Sequence, residues 1–389
     1  MKGTVLVGAG VVGRSILRAH IDAQLSVHLV DVNPSAIRLA IDSLQLSDQW
    51  QVMPPTPISE SLTAVSIRHG QDRDPQPTIL IESIVERLDV KQKFFAEASH
   101  VFADDTIFCS NTSTLRITTI TSSLPCADRF AGMHFFMPVD QRPAVEIVRG
   151  EYTSEATIQA CHQHVLRLGK EPLVVKDSPG FIVNRLLSPY LNQAMLLLCH
   201  GVAADRIERA AIEYGMPMSP LELIDTIGTR TTFDAGRVYW QSFPNRIDPA
   251  PMLGKMIKTG RLGKSVGAGF YDYSNGQRSR DLSPETIKLA ETYFRPIEQL
   301  TDDDLIDLLS IPMRIEAAIA HHEDTVSSFQ SFDIAMQGGL GFSPNRAWSK
   351  FFDDLGRDTI QAAIERWRPI FKSMGHELSA RQLLEKRPS

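Results

Sequence analysis

Thr4-Val5-Leu6-Val7-Gly8-Ala9-Gly10-Val11-Val12-Gly13 is a short apolar run that breaks into a GxGxxG pattern. The run reads as a buried strand, and Val11 to Ala23 has the spacing and length of a helix, so the glycines fall at a strand-to-helix turn. Gly8 suits the tight turn, Gly10 lets the backbone approach a pyrophosphate, and Gly13 lets helix and strand pack closely. The first helical turn, at Val11, Val12 and Gly13, then offers free N–H groups and a partial positive charge to phosphates. Alone the motif is weak, because such turns also occur without a ligand. The discriminating addition is Asp31, 23 residues after Gly8 and at the end of the strand-like run Ser26 to Val30. A carboxylate there accepts hydrogen bonds from a ribose 2′-hydroxyl and repels a 2′-phosphate, so the expected cofactor is NAD rather than NADP.

The same alternation continues outward. Thr78 to Ile84, Thr106 to Ser110, Phe130 to His134, Ala144 to Val148 and Glu171 to Val175 read as buried strands, with helices at Leu88 to Ser99 and about Glu155 to Leu168. This is the pattern of a Rossmann-like, doubly wound parallel sheet, an α/β domain over residues 1–176. After Asp177-Ser178-Pro179-Gly180 the composition shifts to long amphipathic helical patterns such as Phe181 to Leu198. An all-helical region is expected, divided into residues 177–290 and 300–389, with the polar stretch Gln277 to Asp304 as a link. The two parts read as diverged repeats. Pro189-Tyr190-Leu191 lies 123 positions before Pro312-Met313-Arg314, and Ala211 to Gly215 with Ser219-Pro220 lies 124 before Ala335 to Gly339 with Ser343-Pro344. Two such copies can pack as an internal pseudo-dimer, which points to a monomer.

Composition narrows the class. With 389 residues, 43% hydrophobic and 22% charged, the chain is long enough for about two to three domains and too apolar to stay disordered. A formal net charge of -6 excludes an overall basic field, so neither nucleic acid nor an anionic membrane is an expected partner. No stretch reaches the roughly 18 charge-poor apolar residues of a membrane span, and a glycine motif beginning at Gly8 leaves no room for a removable leader. The four cysteines show no CxxC pair and no metal-ligand grouping, so no metal is expected. A cytoplasmic protein with reduced, structural cysteines is the expectation.

Candidate chemistry lies further along. Gly132-Met133-His134-Phe135-Phe136-Met137-Pro138 places a histidine where an apolar strand meets a loop, and Glu146 follows inside Ala144-Val145-Glu146-Ile147-Val148. A carboxylate in such a run is costly to bury without a partner, and a histidine is a natural one. Oxidising an alcohol with NAD needs a base for the hydroxyl proton; His has a suitable unperturbed pKa, and a carboxylate fixes its tautomer. The residues alone also admit a buried structural His and a separate Glu. Ser110-Asn111-Thr112-Ser113 follows a buried strand and can hold a substrate oxygen or the nicotinamide, or can equally cap a helix. Asn184, early in the first helix of the second region, can reach towards an interdomain cleft or simply be solvated.

Taken together, these segments resemble the L-3-hydroxyacyl-CoA dehydrogenases over most of the chain. The resemblance is carried by Val7 to Gly13, Ile81-Glu82-Ser83-Ile84-Val85-Glu86, Ser110 to Leu115, His134-Phe135-Phe136, Val145 to Val148, Lys176 to Arg185 and Gly267-Ala268-Gly269-Phe270-Tyr271. It implies that His134 is the general base and Glu146 its partner, with Ser113 and Asn184 on the substrate's oxygen atoms. It further implies that Glu86, Lys91 and Ser113 lie along the nicotinamide end of NAD and Asp31 at the adenosine ribose, with an acyl-CoA ester as substrate. The duplicated helical region is similar to the dehydrogenase portion of the multifunctional fatty-oxidation α subunit; at 389 residues a hydratase domain beside it, and hence a hydratase activity, is not expected.

Three departures stand out. Met137 replaces the family's usual Asn and can neither donate nor accept as an amide does. The family's basic helical arm before Ile79 is replaced by Ala40 to Thr78, which has no Lys, only Arg68 and Arg73, and is broken by Met53-Pro54-Pro55-Thr56-Pro57. Gly228-Thr229-Arg230 stands where Gly-Leu-Asp is more usual. These departures keep two other functions open: a dehydrogenase of a smaller, non-CoA 3-hydroxy acid, and a catalytically weak NAD-binding subunit that docks on a hydratase or thiolase.

Overall fold

Strand β1 (Thr4–Val7) is buried at every residue and pairs in parallel with β2 (Val27–Asp31) on one side and β5 (Ile79–Glu82) on the other, which is why it must be apolar throughout. The computed structural model describes residues 3–46, 50–52, 63–67 and 78–375. These fall into two units, 1–181 and 182–389. In the first, a nine-stranded sheet runs in the order β3-β4-β2-β1-β5-β6-β7-β8-β9. Its remaining strands are β3 (Trp50–Val52), β4 (Thr63–Ile67), β6 (Ile107–Ser110), β7 (Phe130–Phe135), β8 (Ala144–Arg149) and β9 (Glu171–Lys176). The helices between them are α1 (Val11–Asp22), α2 (Pro34–Ser43), α3 (Leu88–Ser99), α4 (Ile117–Ile120) and α5 (Glu155–Arg167).

Two features depart from the expected parallel sheet. Strand β8 runs antiparallel to β7, because the connection over residues 136–143 is too short to hold a crossover helix. At the opposite edge β4 pairs antiparallel with β2, and β3 with β4, so a strand pair occupies part of the segment read as a broken arm. The proline run 53–57, Arg68 and Arg73 lie outside the described residues. The parallel register aligns Val7 with Val30 and Glu82, and Glu82 with Ser110. The chain therefore leaves β1, β2, β5 and β6 at one common edge, the one where open α/β sheets bind ligands.

One face of this sheet packs Leu6, Leu29, Ile81, Cys109, Met133 and Ile147 against Ile16 and Leu17 of α1 and Ile158 and Val165 of α5. Across α1 and α5 a fully buried pair forms, with Nε2 of His20 and Nε2 of His164 3.0 Å apart. Nδ1 of His20 lies 2.8 Å from the Ile16 carbonyl, and donating there makes its Nε2 the acceptor for His164. Burial lowers the pKa of His20 to about 4 and holds His164 well below the ordinary range.

The second unit contains α6 (Val183–Cys199), α7 (Ala204–Tyr214), α8 (Pro220–Ile227), α9 (Thr229–Ser242), α10 (Met252–Lys258), α11 (Pro284–Thr292), α12 (Asp302–His322), α13 (Gln330–Ile334), α14 (Trp348–Leu355) and α15 (Arg357–Trp367). It is not wholly helical. Asn275-Gly276, both at positive φ, turns a two-stranded hairpin of β10 (Tyr273–Ser274) and β11 (Gln277–Arg278), the geometry that Asn-Gly favours. The stretch read as a polar link holds β11 and α11.

Helices α6 and α12 pack on each other and are buried almost all round; each has a proline inside it, Pro189 and Pro312. Gly228 ends α8 and starts α9 at φ 98°, ψ 133°, and Gly356 does the same between α14 and α15 at φ 84°, ψ 152°. Between α6 and α12 lies a buried ion network. Arg185 donates to Glu316 at 2.5 Å and to Glu323 at 2.6 Å, Arg246 donates to the same two carboxylates, and the Tyr239 hydroxyl donates to Glu316. Two cations balance two anions. Among the described residues no helix is long and apolar enough to cross a membrane.

Three stability predictions result. Glu316→Ala leaves Arg185 buried without its main counterion and should destabilise the protein by about 3–5 kcal/mol. Asp302→Ala, which removes a surface partner of Arg206, should cost less than about 1 kcal/mol, both read by urea unfolding. The lowered pKa of His20 means that the unfolded chain takes up a proton before the folded one does. Stability should thus be intact above pH 6.5 and fall as the pH drops towards 4, by up to about 3 kcal/mol for this histidine. In His20→Leu the slope over that window should be shallower.

Candidate active site

The glycine turn tests whether a dinucleotide fits. Gly8 is at φ 107°, and a Cβ on it would lie 2.4 Å from the Ser83 carbonyl oxygen; a Cβ on Gly13 would lie 1.9 Å from the Gly8 carbonyl oxygen. Packing within the protein requires both glycines. Gly10 differs, since a Cβ there would meet nothing within 4 Å, so the space over it is open to a ligand. No side chain caps α1, whose first N–H groups face the same place. At the end of β2 the Asp31 carboxylate accepts from Ala9 N at 2.6 Å and Asn33 N at 2.7 Å. It therefore ties the glycine loop to β2, and each oxygen keeps a lone pair for a ribose hydroxyl.

A second cluster joins the ends of β5 and β6 to α3. Glu82, fully buried, accepts from Lys91 Nζ at 2.5 Å, Ser110 Oγ at 2.6 Å and Ile84 N at 2.7 Å. Lys91 is only 1% exposed and also reaches Glu86 at 3.3 Å. Glu86 in turn receives Thr112 Oγ1 at 2.6 Å, Ser113 N at 3.0 Å and Thr114 N at 3.1 Å, with Ser113 Oγ at 3.5 Å. Burial acts to raise its pKa, but Lys91 and the donors from Thr112, Ser113 and Thr114 outweigh that and hold it below the ordinary carboxylate value, hence ionised. The segment Ser110 to Ser113 does not cap a helix, because the first N–H groups of α4 are taken by Asp177.

The third cluster is built by the antiparallel pairing of β7 and β8. Their register sets His134 directly opposite Glu146, so both side chains project from the same face. Nδ1 of His134 lies 2.7 Å from Glu146 Oε2, and Glu146 is wholly buried. With Nδ1 committed, Nε2 is the ring nitrogen left for chemistry. The imidazole is flanked by Phe136 and Phe181, ring centroids 4.8 and 5.9 Å away. Phe181 is held at φ 50°, in the left-handed region that a large side chain rarely adopts. Asn111 positions the strand: its Oδ1 accepts from Phe135 N at 2.9 Å, beside the histidine. Met137, the departure from the family pattern, is 43% exposed just beyond.

The first unit thus brings together His134 with Glu146, and Glu86 and Lys91 with Ser113. Asn184 stands near the start of α6 in the second unit. Sequence reasoning missed the roles of Glu82 and Asn111. A signal for Glu82 was available, since it ends the apolar strand Ile79-Leu80-Ile81-Glu82 just as Glu146 interrupts its own, and a carboxylate there calls for a counterion. Asn111 gave none, because its partner is a backbone N–H distant in sequence.

An open nucleotide turn and a carboxylate-backed imidazole on one sheet are what a Rossmann-type, NAD-dependent oxidoreductase requires, and the chain falls in that class. Residues 4–178 match the NAD binding domain of 3-hydroxyacyl-CoA dehydrogenase and residues 180–273 its C-terminal domain. The chain belongs to the 3-hydroxyacyl-CoA dehydrogenase family. It is 30% identical over 380 residues to a fatty acid oxidation complex subunit alpha from Ectopseudomonas oleovorans, covering 95% of this chain and 53% of that protein. The chain therefore spans about half the length of the curated relatives it matches. Among solved structures, the (S)-3-hydroxybutyryl-CoA dehydrogenase of Ralstonia eutropha is 31% identical with a TM-score of 0.58, covering 71% of this chain and all of its own. A 3-hydroxybutyryl-CoA dehydrogenase from Escherichia coli K12 shares the fold, with a TM-score of 0.73 at 23% identity over 95% of this chain and 94% of its own.

The two kinds of glycine predict different defects. Gly10→Ala should unfold like the parent protein and yet bind NAD about tenfold or more weakly in calorimetric titration, because the methyl group fills the space over the turn. Gly13→Ala should instead lose stability, by about 1–3 kcal/mol, through its contact with the Gly8 carbonyl.

Proposed function

We propose that the protein oxidises an L-3-hydroxyacyl-CoA to the 3-oxoacyl-CoA, with His134 as general base and Glu146 as its orienting partner. The observation that carries this reading is the buried 2.7 Å contact between His134 Nδ1 and Glu146. It fixes the tautomer, directs Nε2 at the substrate hydroxyl and stabilises the imidazolium formed when the proton arrives. Ser113 and Asn184 hold the substrate's oxygen atoms, and Phe136 and Phe181 keep water from the imidazole. NAD, when bound, accepts the hydride. Gly8, Gly10, Val11, Val12 and Gly13 hold its pyrophosphate, Asp31 its adenosine ribose, and Glu86, Lys91 and Ser113 its nicotinamide end.

The reading extends to organisation. We propose that residues 1–176 are the NAD-binding domain, and that 177–290 and 300–389 are two copies of one helical domain forming an internal pseudo-dimer, so that the chain is a monomer. The matched prolines of α6 and α12, and the matched glycines at 228 and 356, support this. The relatives' description as subunits of a fatty acid oxidation complex supports a role in β-oxidation beside a hydratase or thiolase. Four free, buried cysteines suit the cytoplasm.

A second reading, oxidation of a smaller 3-hydroxy acid without CoA, is favoured by one observation. Strands β3 and β4 extend the sheet in the lysine-free segment where the family has a basic arm against CoA.

NADH formation should be followed with L-3-hydroxybutyryl-CoA, a long-chain L-3-hydroxyacyl-CoA and free 3-hydroxybutyrate. Turnover on a CoA ester supports the first reading; turnover on the free acid alone supports the second. His134→Gln should lower kcat by at least about 10²-fold with NAD affinity nearly unchanged, and near-normal turnover would remove His134 from the mechanism. Asp31→Ala should weaken NAD and relax the bias against NADP.

A further inference from the structure

The cluster of Glu82, Lys91 and Glu86 does not balance its charge. A single ammonium, buried to 99%, lies between two carboxylates at 2.5 and 3.3 Å. Glu82 has no contact with solvent, and Glu86 is held ionised by its donors. The pair that follows in the chain, Arg87 with Asp89, is neutral as a couple. Helix α3 starts at Leu88, two residues after Glu86, and the partial positive charge of its first turn offsets at most about half a unit of charge. A negative excess therefore remains at the end of β5, anchored on the buried Glu82–Lys91 pair and ending at Glu86, whose side chain is 37% exposed.

We propose that this excess of negative charge makes the site discriminate between the two redox forms of its cofactor, holding NAD⁺ more tightly than NADH. The inference rests on the reading that the nicotinamide end of NAD lies against Glu86 and Ser113. The nicotinamide ring is cationic in the oxidised form and neutral after it accepts hydride, so a fixed negative charge beside it favours only the first. Glu86 acts on the ring at close range. Glu82 is a positioning and charge-setting residue that acts from behind, through Lys91 and through Ser110. The site thereby makes NADH the form that leaves.

The test is the affinity of the purified full-length protein for NAD⁺ and for NADH, measured by calorimetry and by NADH fluorescence, in the parent, Glu86→Gln and Glu82→Gln. Each variant removes one negative charge and keeps the side-chain shape, and circular dichroism checks that it folds. Both should lose about tenfold in NAD⁺ affinity while NADH changes by less than about twofold. The effect of Glu82→Gln is decisive, because that side chain is fully buried and touches no ligand; a purely structural role would weaken both forms alike. Equal loss for NAD⁺ and NADH in Glu82→Gln overturns the charge proposal and leaves the nicotinamide placement standing. If neither variant alters either form, the placement itself is wrong, and the proposal fails with it. Should Glu82→Gln fail to fold, Glu86→Gln decides: a selective loss of NAD⁺ sustains the proposal and an unselective one ends it.

Discussion

The antiparallel return of β8 against β7 is the constraint on which the candidate chemistry depends. A crossover connection would have made β8 another parallel strand and separated His134 from Glu146. The connection at 136–143 is too short for that, so the chain reverses and the ladder sets the two residues face to face. The ring is then fixed by a backbone register, a more rigid restraint than a loop supplies. Asn111 adds a second restraint by accepting from Phe135 N, which couples the histidine strand to the loop after β6.

Three buried ionic sites are each held by partners of fixed geometry. Lys91 lies between Glu82 and Glu86, Arg185 is held by Glu316 and Glu323, and Asp225 accepts Phe270 N, Tyr271 N and the Tyr273 hydroxyl. Burial pushes the Asp225 pKa up to about 6 against those donors. This site gives a physical reason for the segment Gly267 to Tyr271. A Cβ on Gly269 would lie 1.9 Å from the Asp225 carboxylate, so the glycine allows the chain to close on the acid at the end of α8. Part of the family's recognisable sequence is thus packing rather than catalysis.

Much of the architecture was legible because it rests on local signals. Helix α3 was expected over Leu88 to Ser99 and is found there; strands β1, β5 and β6 are apolar because they are covered on both faces. What escaped was set by pairing at a distance. The direction of β8, the strand pair β3 and β4, and the small hairpin at Asn275-Gly276 depend on which segments meet, although the Asn-Gly turn itself was readable. In the site, the segment Ser110 to Ser113 was ambiguous between ligand contact and helix cap, since either suits hydroxyl-rich sequence. The cap is excluded by Asp177, and the segment is tied to Glu86, both of which come from elsewhere in the chain.

By itself the sequence determined the nucleotide turn. Gly8, Gly10, Gly13 and Asp31 are read from spacing alone, because a strand, a tight turn and a helix N-terminus are all local, and at Gly8 and Gly13 only glycine fits, since a Cβ would strike backbone. It also determined that His134 and Glu146 were candidates, since a carboxylate within an apolar strand must find a partner. Only the tertiary structure decided that they are each other's partner, that Lys91 is enclosed between two acids, and that Asn111 steadies the histidine strand. Those outcomes depend on the register of strands and the packing of α3, and hence on contacts between residues far apart in the chain, which no local pattern encodes.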